Sequence, residues 1–115
     1  MNQGRIYERA AERFLCKAGL ELIERNFRGS YGEIDLIMLD RRTLVFIEVR
    51  QRSKSRFYSA AASISSKKRS RIVKTALGFL KDNPIYRDNY CRFDVVAYND
   101  PCASPLWIKS AFTEE

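Results

Sequence analysis

The stretch from Glu33 to Gln51 reads EIDLIMLDRRTLVFIEVRQ, and it decides the fold. Two runs rich in Ile, Leu, Val and Phe, Glu33–Leu39 and Leu44–Gln51, are separated by a short polar segment that contains Arg41 and Arg42. Short apolar runs of this composition are typical of buried strands. Because the connection between them is tight, the sequence predicts an antiparallel β-hairpin over residues 33–51.

The register of this hairpin predicts where its charged side chains lie. If the two arginines form a two-residue turn, Asp35 falls opposite Glu48 and Glu33 falls opposite Arg50. Side chains alternate along a strand, so these four share one face, and directly opposed Cβ atoms lie about 4.5–5.5 Å apart. Two carboxylates this close within apolar runs repel each other, and a divalent cation such as Mg²⁺ would relieve the repulsion. Arg50 would then stabilise negative charge on a transferring phosphate.

The same spacing also suits an edge hairpin with one solvated face. The four charged residues would then be ordinary surface groups, with Glu33 and Arg50 forming a cross-strand ion pair. A slip of one residue in the register would move all of these side chains to the other face of the sheet. Spacing alone therefore leaves both the metal site and the solvated face open.

The rest of the chain predicts helices and further strands around the hairpin. Apolar residues at helical spacing predict helices over 5–18 and 66–81, and a serine- and alanine-rich segment predicts a mobile loop over 53–66. Strands are predicted over 20–27, 90–98 and 106–112. We therefore expect one α/β domain over residues 1–115, with a mixed central sheet of about four to five strands and flanking helices.

Charge is distributed unevenly along the chain. The net charge is +7, and residues 50–74 hold nine basic residues and no acidic one. Such a patch is either a solvated face or a surface for a polyanion, and we favour nucleic acid as the partner. The phosphate-contact candidates are Arg52, Lys54, Arg56, Lys67, Lys68, Arg71 and Lys74. Phe57, Tyr58 and Trp107 are candidates for stacking on bases, although each suits simple packing as well.

Residue types that are scarce or absent narrow the chemistry and the compartment. The chain has no histidine, which excludes Ser–His and Cys–His catalysis and histidine metal ligands. Its three cysteines are an odd number without metal-type spacing, which is typical of reduced thiols in a cytoplasmic protein. No segment approaches the roughly 20 apolar residues that span a bilayer. We therefore expect a cytoplasmic location without a membrane partner.

Three motifs in this order resemble a known family. They are Gly32–Ile37, Phe46–Arg52 and Arg92–Val96. Together they resemble the uncharacterised bacterial YraN-type proteins, which are similar to archaeal Holliday-junction resolvases and to the wider PD-(D/E)xK nuclease superfamily. The resemblance covers roughly residues 4–99 and implies a restriction-endonuclease-like core.

The resemblance also implies a catalytic site and a substrate. It implies that Asp35 and Glu48 bind Mg²⁺ or Mn²⁺, with the backbone carbonyl of Val49 as a further ligand. Glu8 matches the glutamate that resolvase-like proteins carry on their first helix, with Glu12 as the second candidate. DNA is the implied substrate, and a homodimer is the implied assembly. The chain departs from the pattern at Arg50, where the family motif Glu-x-Lys has lysine, and arginine cannot serve as a base.

Three functional hypotheses follow from these observations. The first is a metal-dependent DNA nuclease in which Asp35, Glu48, Arg50 and Glu8 are catalytic. The second is a nucleic-acid-binding module that kept the fold and has weak or no cleavage activity, which Arg50 favours. The third is a protein-interaction domain whose basic face meets an acidic partner.

Overall fold

The computed structural model describes residues 2–113 and confirms the predicted mixed α/β fold. Its main elements, in chain order, are α1 (Gln3–Lys17), β1 (Glu21–Gly29), β2 (Gly32–Asp40), β3 (Thr43–Gln51), α2 (Ser66–Asp82), β4 (Tyr90–Tyr98) and β5 (Leu106–Phe112). Short 3₁₀ helices lie at Lys54–Ser59 and Pro84–Tyr86. Among the described residues, no helix is long and apolar enough to cross a bilayer.

The five strands form one sheet in the order β1-β2-β3-β4-β5. Every neighbouring pair is antiparallel except β3 and β4, which run parallel. A parallel pair needs a long crossover connection, and α2 lies within the connection between β3 and β4. This mixed sheet with flanking helices is consistent with a restriction-endonuclease-like core.

Each helix covers one face of the sheet. Buried α1 residues such as Tyr7 and Leu15 pack on strand residues including Leu36 and Ile47, with Val96 from β4. On the opposite face, buried α2 residues pack in a second cluster, which contains Ile72, Ala76, Phe79, Ile34, Ile37, Phe46 and Phe93. The apolar residues of β2 and β3 are divided between these two clusters, so the hairpin lies at the centre of the molecule rather than at a solvated edge.

The β2–β3 hairpin has the predicted register over most of its length. Asp40 pairs with Thr43, and the ladder continues to the pair formed by Leu36 and Ile47. The turn places Arg41 in the left-handed region, with φ of 58°. The ladder between β2 and β3 stops at Leu36, whereas β2 continues to pair with β1 as far as Gly32. The two hairpin strands therefore separate before they reach Asp35 and Glu48.

Strict alternation of side chains also breaks at this point. Ile34 and Ile37 are three residues apart, yet both belong to the cluster beneath α2. Leu36 belongs to the cluster beneath α1. The expectation that Glu33, Asp35, Glu48 and Arg50 would lie on one face of a regular hairpin was therefore wrong, because it assumed alternation through the separation point.

Several predicted element bounds also need correction. The first helix is Gln3–Lys17 rather than 5–18, and the second ends at Asp82 rather than 81. The segment 53–66, predicted to be a mobile loop, contains a 3₁₀ helix and buries Ala60 and Ile64 in the core. Arg69 fixes this segment because its guanidinium donates to the carbonyl oxygens of Ile64 and Ala61.

Candidate functional site

An open cleft lies where β2 and β3 separate. Its volume is about 670 Å³. Acidic side chains enter it from three elements, and they are Glu8 from α1, Glu33 and Asp35 from β2, and Glu48 from β3. Lys68 and Arg71 of α2 line the same cleft. The strand separation thus forms a polar cavity in an otherwise apolar sheet.

Asp35 lies in the gap between the two separating strands. Its Oδ2 accepts a hydrogen bond of 2.8 Å from the backbone N–H of Val49, so the carboxyl takes the place of a strand partner. Burial raises the pKa of Asp35 to about 8, and the charge of Glu48 and a side-chain hydrogen bond to it act in the same direction. The bond from Val49 lowers that pKa and offsets only part of the rise. Asp35 is thus a buried carboxyl group with the charge of Glu48 close beside it.

Glu48 is the most deeply buried of these acidic residues. Its side chain is 9% exposed, and its Oε2 lies 2.6 Å from the Nζ of Lys68. Leu44 and Phe46 precede it at alternating positions of β3 and belong to the cluster beneath α2, so Glu48 faces α2. Lys68, which is also a predicted phosphate contact, is the ion-pair partner of this site carboxylate.

Glu8 and Glu33 approach Asp35 from the α1 side. One carboxylate oxygen from each of the three residues lies within 4.8 Å of the others. The Nδ2 of Asn26 donates to Glu8 at 2.8 Å and to Glu33 at 3.3 Å, and so links the two glutamates. Asn26 adopts a φ of 49°, a conformation that asparagine tolerates better than most residues. A strained residue of β1 therefore orients the outer carboxylates.

Other pairings remove two sequence alternatives from the site. Glu12, the second helix-1 candidate, forms a bidentate pair with Arg25 at 2.6 and 3.0 Å. Glu33 pairs with Arg28 at 2.8 Å, so the cross-strand ion pair with Arg50 does not form. This ion pair is absent because the strands have separated. Glu33 of β2 pairs with β1 at this point, whereas Arg50 of β3 pairs with β4.

The donor set of the cleft fits a hard divalent cation. Mg²⁺ and Mn²⁺ prefer carboxylate and carbonyl oxygens, and the cleft offers carboxylates from several elements without any sulfur or imidazole. The pKa of Asp35 is raised first by burial and then by the charge of Glu48, and a bound cation would counteract both effects. Asp35 is the central residue that would hold it, with Glu8 and Glu33, whose carboxylate oxygens lie within 4.8 Å, on one side and Glu48 of the same cleft on the other.

Arg50, which occupies the lysine position of the Glu-x-Lys motif, does not line the cleft. Its Nη1 is buried and has no hydrogen-bond partner among the described residues. Burial and the nearby charge of Arg52 lower the pKa of Arg50, and the carboxylates of Glu48 and Asp35 offset part of this. Its guanidinium is thus close enough for the charges of both acids to affect its pKa, but its Nη1 makes no hydrogen bond to a described residue.

The predicted phosphate contacts divide into two groups. Beside Lys68, Arg71 lines the cleft, and the Nζ of Lys74 lies 5.1 Å from the ring centroid of Tyr31, which also lines it. Lys67 is exposed in the first turn of α2. Arg52 and Arg56 line a second shallow groove, which shares Gln51 with the cleft, and Lys54 is exposed on the same segment. The basic surface is therefore continuous with the acidic cleft.

The aromatic candidates have different environments. The Nε1 of Trp107 donates to Asp94 at 2.8 Å, and Phe14 packs edge-on against its ring, so Trp107 is part of the core. Asp94 is fully buried and also accepts from Arg92 and from the backbone N–H of Ser110, so its role is structural. Phe57 packs partly against the core, whereas Tyr58 is 89% exposed.

Comparison with known proteins identifies the family. The model of the uncharacterised protein family UPF0102 matches residues 7–98. The chain belongs to the UPF0102 family. UPF0102 proteins of Francisella tularensis subsp. tularensis and Nitrosomonas europaea are each 44% identical to it, over 95% and 98% of this chain and 92% and 95% of the relative. A UPF0102 protein of Psychromonas ingrahamii is 42% identical over 98% of this chain and 91% of the relative.

The match confirms the resemblance to the YraN-type family, which is the same UPF0102 family. Sequence reasoning missed one residue of this UPF0102 site, Asn26, and the ion-pair partner of another, Lys68. Nothing in the sequence indicated a role for Asn26 in the site, because it is only a polar residue inside a weak strand pattern. Lys68 was recognised only as part of a basic stripe, although its place in the first turn of α2, beneath a strand with a buried acid, could have indicated its partner.

Proposed function

We propose that this UPF0102 protein is a metal-dependent nuclease of the PD-(D/E)xK type that acts on DNA. The observation that carries the proposal is that Asp35 and Glu48 line one cleft, which opens onto a basic surface. Phosphodiester hydrolysis requires two acids that can share a cation, and a basic surface beside them that can bind a polyanion. The similarity of the sequence motifs to Holliday-junction resolvases supports branched DNA as the first substrate to test.

Each residue has a role in this proposal. Asp35 and Glu48 hold Mg²⁺ or Mn²⁺, and we expect the Val49 carbonyl to join them, because its N–H faces β2 and a strand residue directs both groups to the same side. The bound cation would supply a more acidic water and polarise the phosphoryl group. Glu8, oriented by Asn26, is placed to accept a proton from water.

DNA is held by the basic residues around the cleft. Arg71 and Lys74 flank it on α2, and Arg52, Lys54 and Arg56 extend the surface along the following segment. Phosphate contacts of this kind position the duplex without reading its sequence. Affinity for DNA should therefore fall steeply with salt, by a slope of about 0.9 for each phosphate contact.

Cleavage of a panel of linear and branched DNA in Mg²⁺ or Mn²⁺ tests the proposal. Metal-dependent products from the wild type, and none from Asp35→Asn, are the expected result. Products that persist in Asp35→Asn would show that the cleavage does not require Asp35 and would contradict the assignment.

A nucleic-acid-binding module without cleavage is the second candidate. Arg50 in place of lysine favours it, since arginine stays protonated and cannot act as a base. This alternative predicts salt-dependent DNA binding without products. Binding that ignores salt would instead point to a protein-interaction domain.

A further inference from the structure

We propose that Lys68 is an internal counter-ion of Glu48, displaced when a divalent cation binds and then free to contact a nucleic-acid phosphate. This inference rests on the proposed function, because it requires the metal site. It gives Lys68 two alternative partners and thereby couples metal binding to nucleic-acid binding.

The ion pair satisfies Glu48 while no metal is bound. The carboxylate is 9% exposed, and the 2.6 Å contact with Lys68 is the one ion pair it forms among residues 2–113. A buried carboxylate without a partner is costly, so the ammonium group takes the place of a cation. A divalent cation bound at Asp35 and Glu48 would lie next to this ammonium group, and like charges at that distance repel.

Lys68 is able to leave this position. Its side chain is 44% exposed, whereas Glu48 is nearly enclosed, so the lysine can rotate into solvent without opening the core. Its backbone N–H donates to the Oγ of Ser65, which caps α2. The helix turn therefore stays fixed while the flexible lysine side chain changes partner.

The surroundings of Lys68 favour an anion once Glu48 is taken by a metal. The first turn of α2 contains Lys67, Lys68 and Arg69 and no acidic residue. Positive side chains are unfavourable at the start of a helix, where the dipole attracts negative charge. A phosphate oxygen beside Lys68 would satisfy both the ammonium group and the helix terminus.

Calorimetric titration of Mn²⁺ alone into the intact chain at pH values near 8 tests the displacement. We expect Lys68→Gln to bind Mn²⁺ about tenfold more tightly than the wild type, since the competing charge is gone. Lys68→Arg, which keeps the charge, should not bind more tightly than the wild type. Lys81→Gln removes one charge from the far end of the same helix and should change affinity by less than about twofold.

A purely structural ion pair predicts the opposite sign. In that case Lys68→Gln would leave Glu48 buried without a partner, and Mn²⁺ affinity would fall or stay unchanged, which would overturn the inference. If the wild type binds Mn²⁺ and Asp35→Asn does not, the metal site stands. An unchanged or lower affinity of Lys68→Gln then rejects only the inference about Lys68. If neither the wild type nor Lys68→Gln takes up Mn²⁺, the proposed metal site fails together with it.

The coupling to nucleic acid has its own measurement. Fluorescence anisotropy measures the binding of a labelled DNA duplex at several salt concentrations, with Mn²⁺ or with chelator. The titrations are run in the cold, and a gel shows that the DNA stays intact. Mn²⁺ should raise the salt slope of the wild type by about 0.9, the value for one new phosphate contact. Lys68→Gln should show no such gain, and Asp35→Asn reports the screening by Mn²⁺ itself. An equal gain in Lys68→Gln would refute the coupling.

Discussion

Replacing Asp35 by Asn should stabilise the metal-free protein at neutral and alkaline pH. The pKa of Asp35 is raised from 3.8 to about 8 by burial and by the charge of Glu48. In the unfolded chain the group ionises near pH 4, whereas the folded protein resists ionisation until about pH 8. The stability that the neutral carboxyl provides is therefore complete below about pH 4 and is lost as the pH rises to about 8.

The magnitude follows from the size of the shift. A rise of about four pH units corresponds to a ceiling of about 5–6 kcal/mol, at about 1.4 kcal/mol per unit. Because the charge of Glu48 is one cause of the shift and Lys68 pairs with that charge, we expect only about 1–3 kcal/mol. Asparagine keeps a carbonyl oxygen that can accept the bond from Val49, so the substitution removes the charge and retains this hydrogen bond.

Thermal and urea unfolding in chelator, across pH values from about 4 to 9, provides the assay. The wild type should lose stability over this range, whereas Asp35→Asn should lose much less and should melt about 4–12 °C higher at the alkaline end. Mn²⁺ should stabilise the wild type and have little effect on Asp35→Asn. An Asp35→Asn protein that is less stable than the wild type at alkaline pH would refute the idea that the carboxyls are crowded.

Three further substitutions probe other parts of the site. Asp94→Asn should lower the free energy of unfolding by about 2–4 kcal/mol in urea titrations, because Arg92, Trp107 and Ser110 lose the charged acceptor that they share; wild-type stability would contradict its structural role. Arg50→Lys should increase Mg²⁺-dependent DNA cleavage severalfold in a gel assay, and unchanged or lower activity would show that the arginine is no impediment. Asn26→Ala should weaken Mn²⁺ binding about tenfold by calorimetry, since Glu8 loses its orienting donor; Asn89→Ala, whose bond lies at the other end of the hairpin, is the matched control.

The parts of the fold that depend on local patterns could be predicted from the sequence. The β2–β3 hairpin follows from two apolar runs around a short polar turn, and its ladder has the expected register from Leu36 to Asp40. Strand β4 was predicted over the residues that form it, but its parallel partner was not. Partner choice in a sheet depends on contacts between distant residues, and a single sequence does not report them.

The site was harder to predict because it lies where the local rules stop applying. Strict alternation assigned Glu33 to the face of Glu48. However, β2 pairs with β3 only from Leu36 to Asp40, and Glu33 pairs with β1 alone. The left-handed Asn26 on β1 and the ion pair from α2 are likewise tertiary features. Sequence reasoning grouped Asp35 with Glu48 by assuming a regular hairpin, whereas the structure brings both into one cleft at the point where the hairpin is interrupted.

The separation of β2 and β3 explains why this cleft is polar in an apolar sheet. Where the strands separate, the N–H of Val49 no longer has a backbone partner on β2, and the Asp35 carboxyl supplies one. That placement holds Asp35 within the sheet, with Glu8 and Glu33 within 4.8 Å and with Glu48 lining the same cleft. The hydrogen bond that completes the sheet and the crowding that raises the pKa of Asp35 therefore have the same origin. A substitution that restored regular pairing between β2 and β3 would stabilise the sheet and remove the site. The interrupted pairing is therefore the structural cost of holding the carboxylates together.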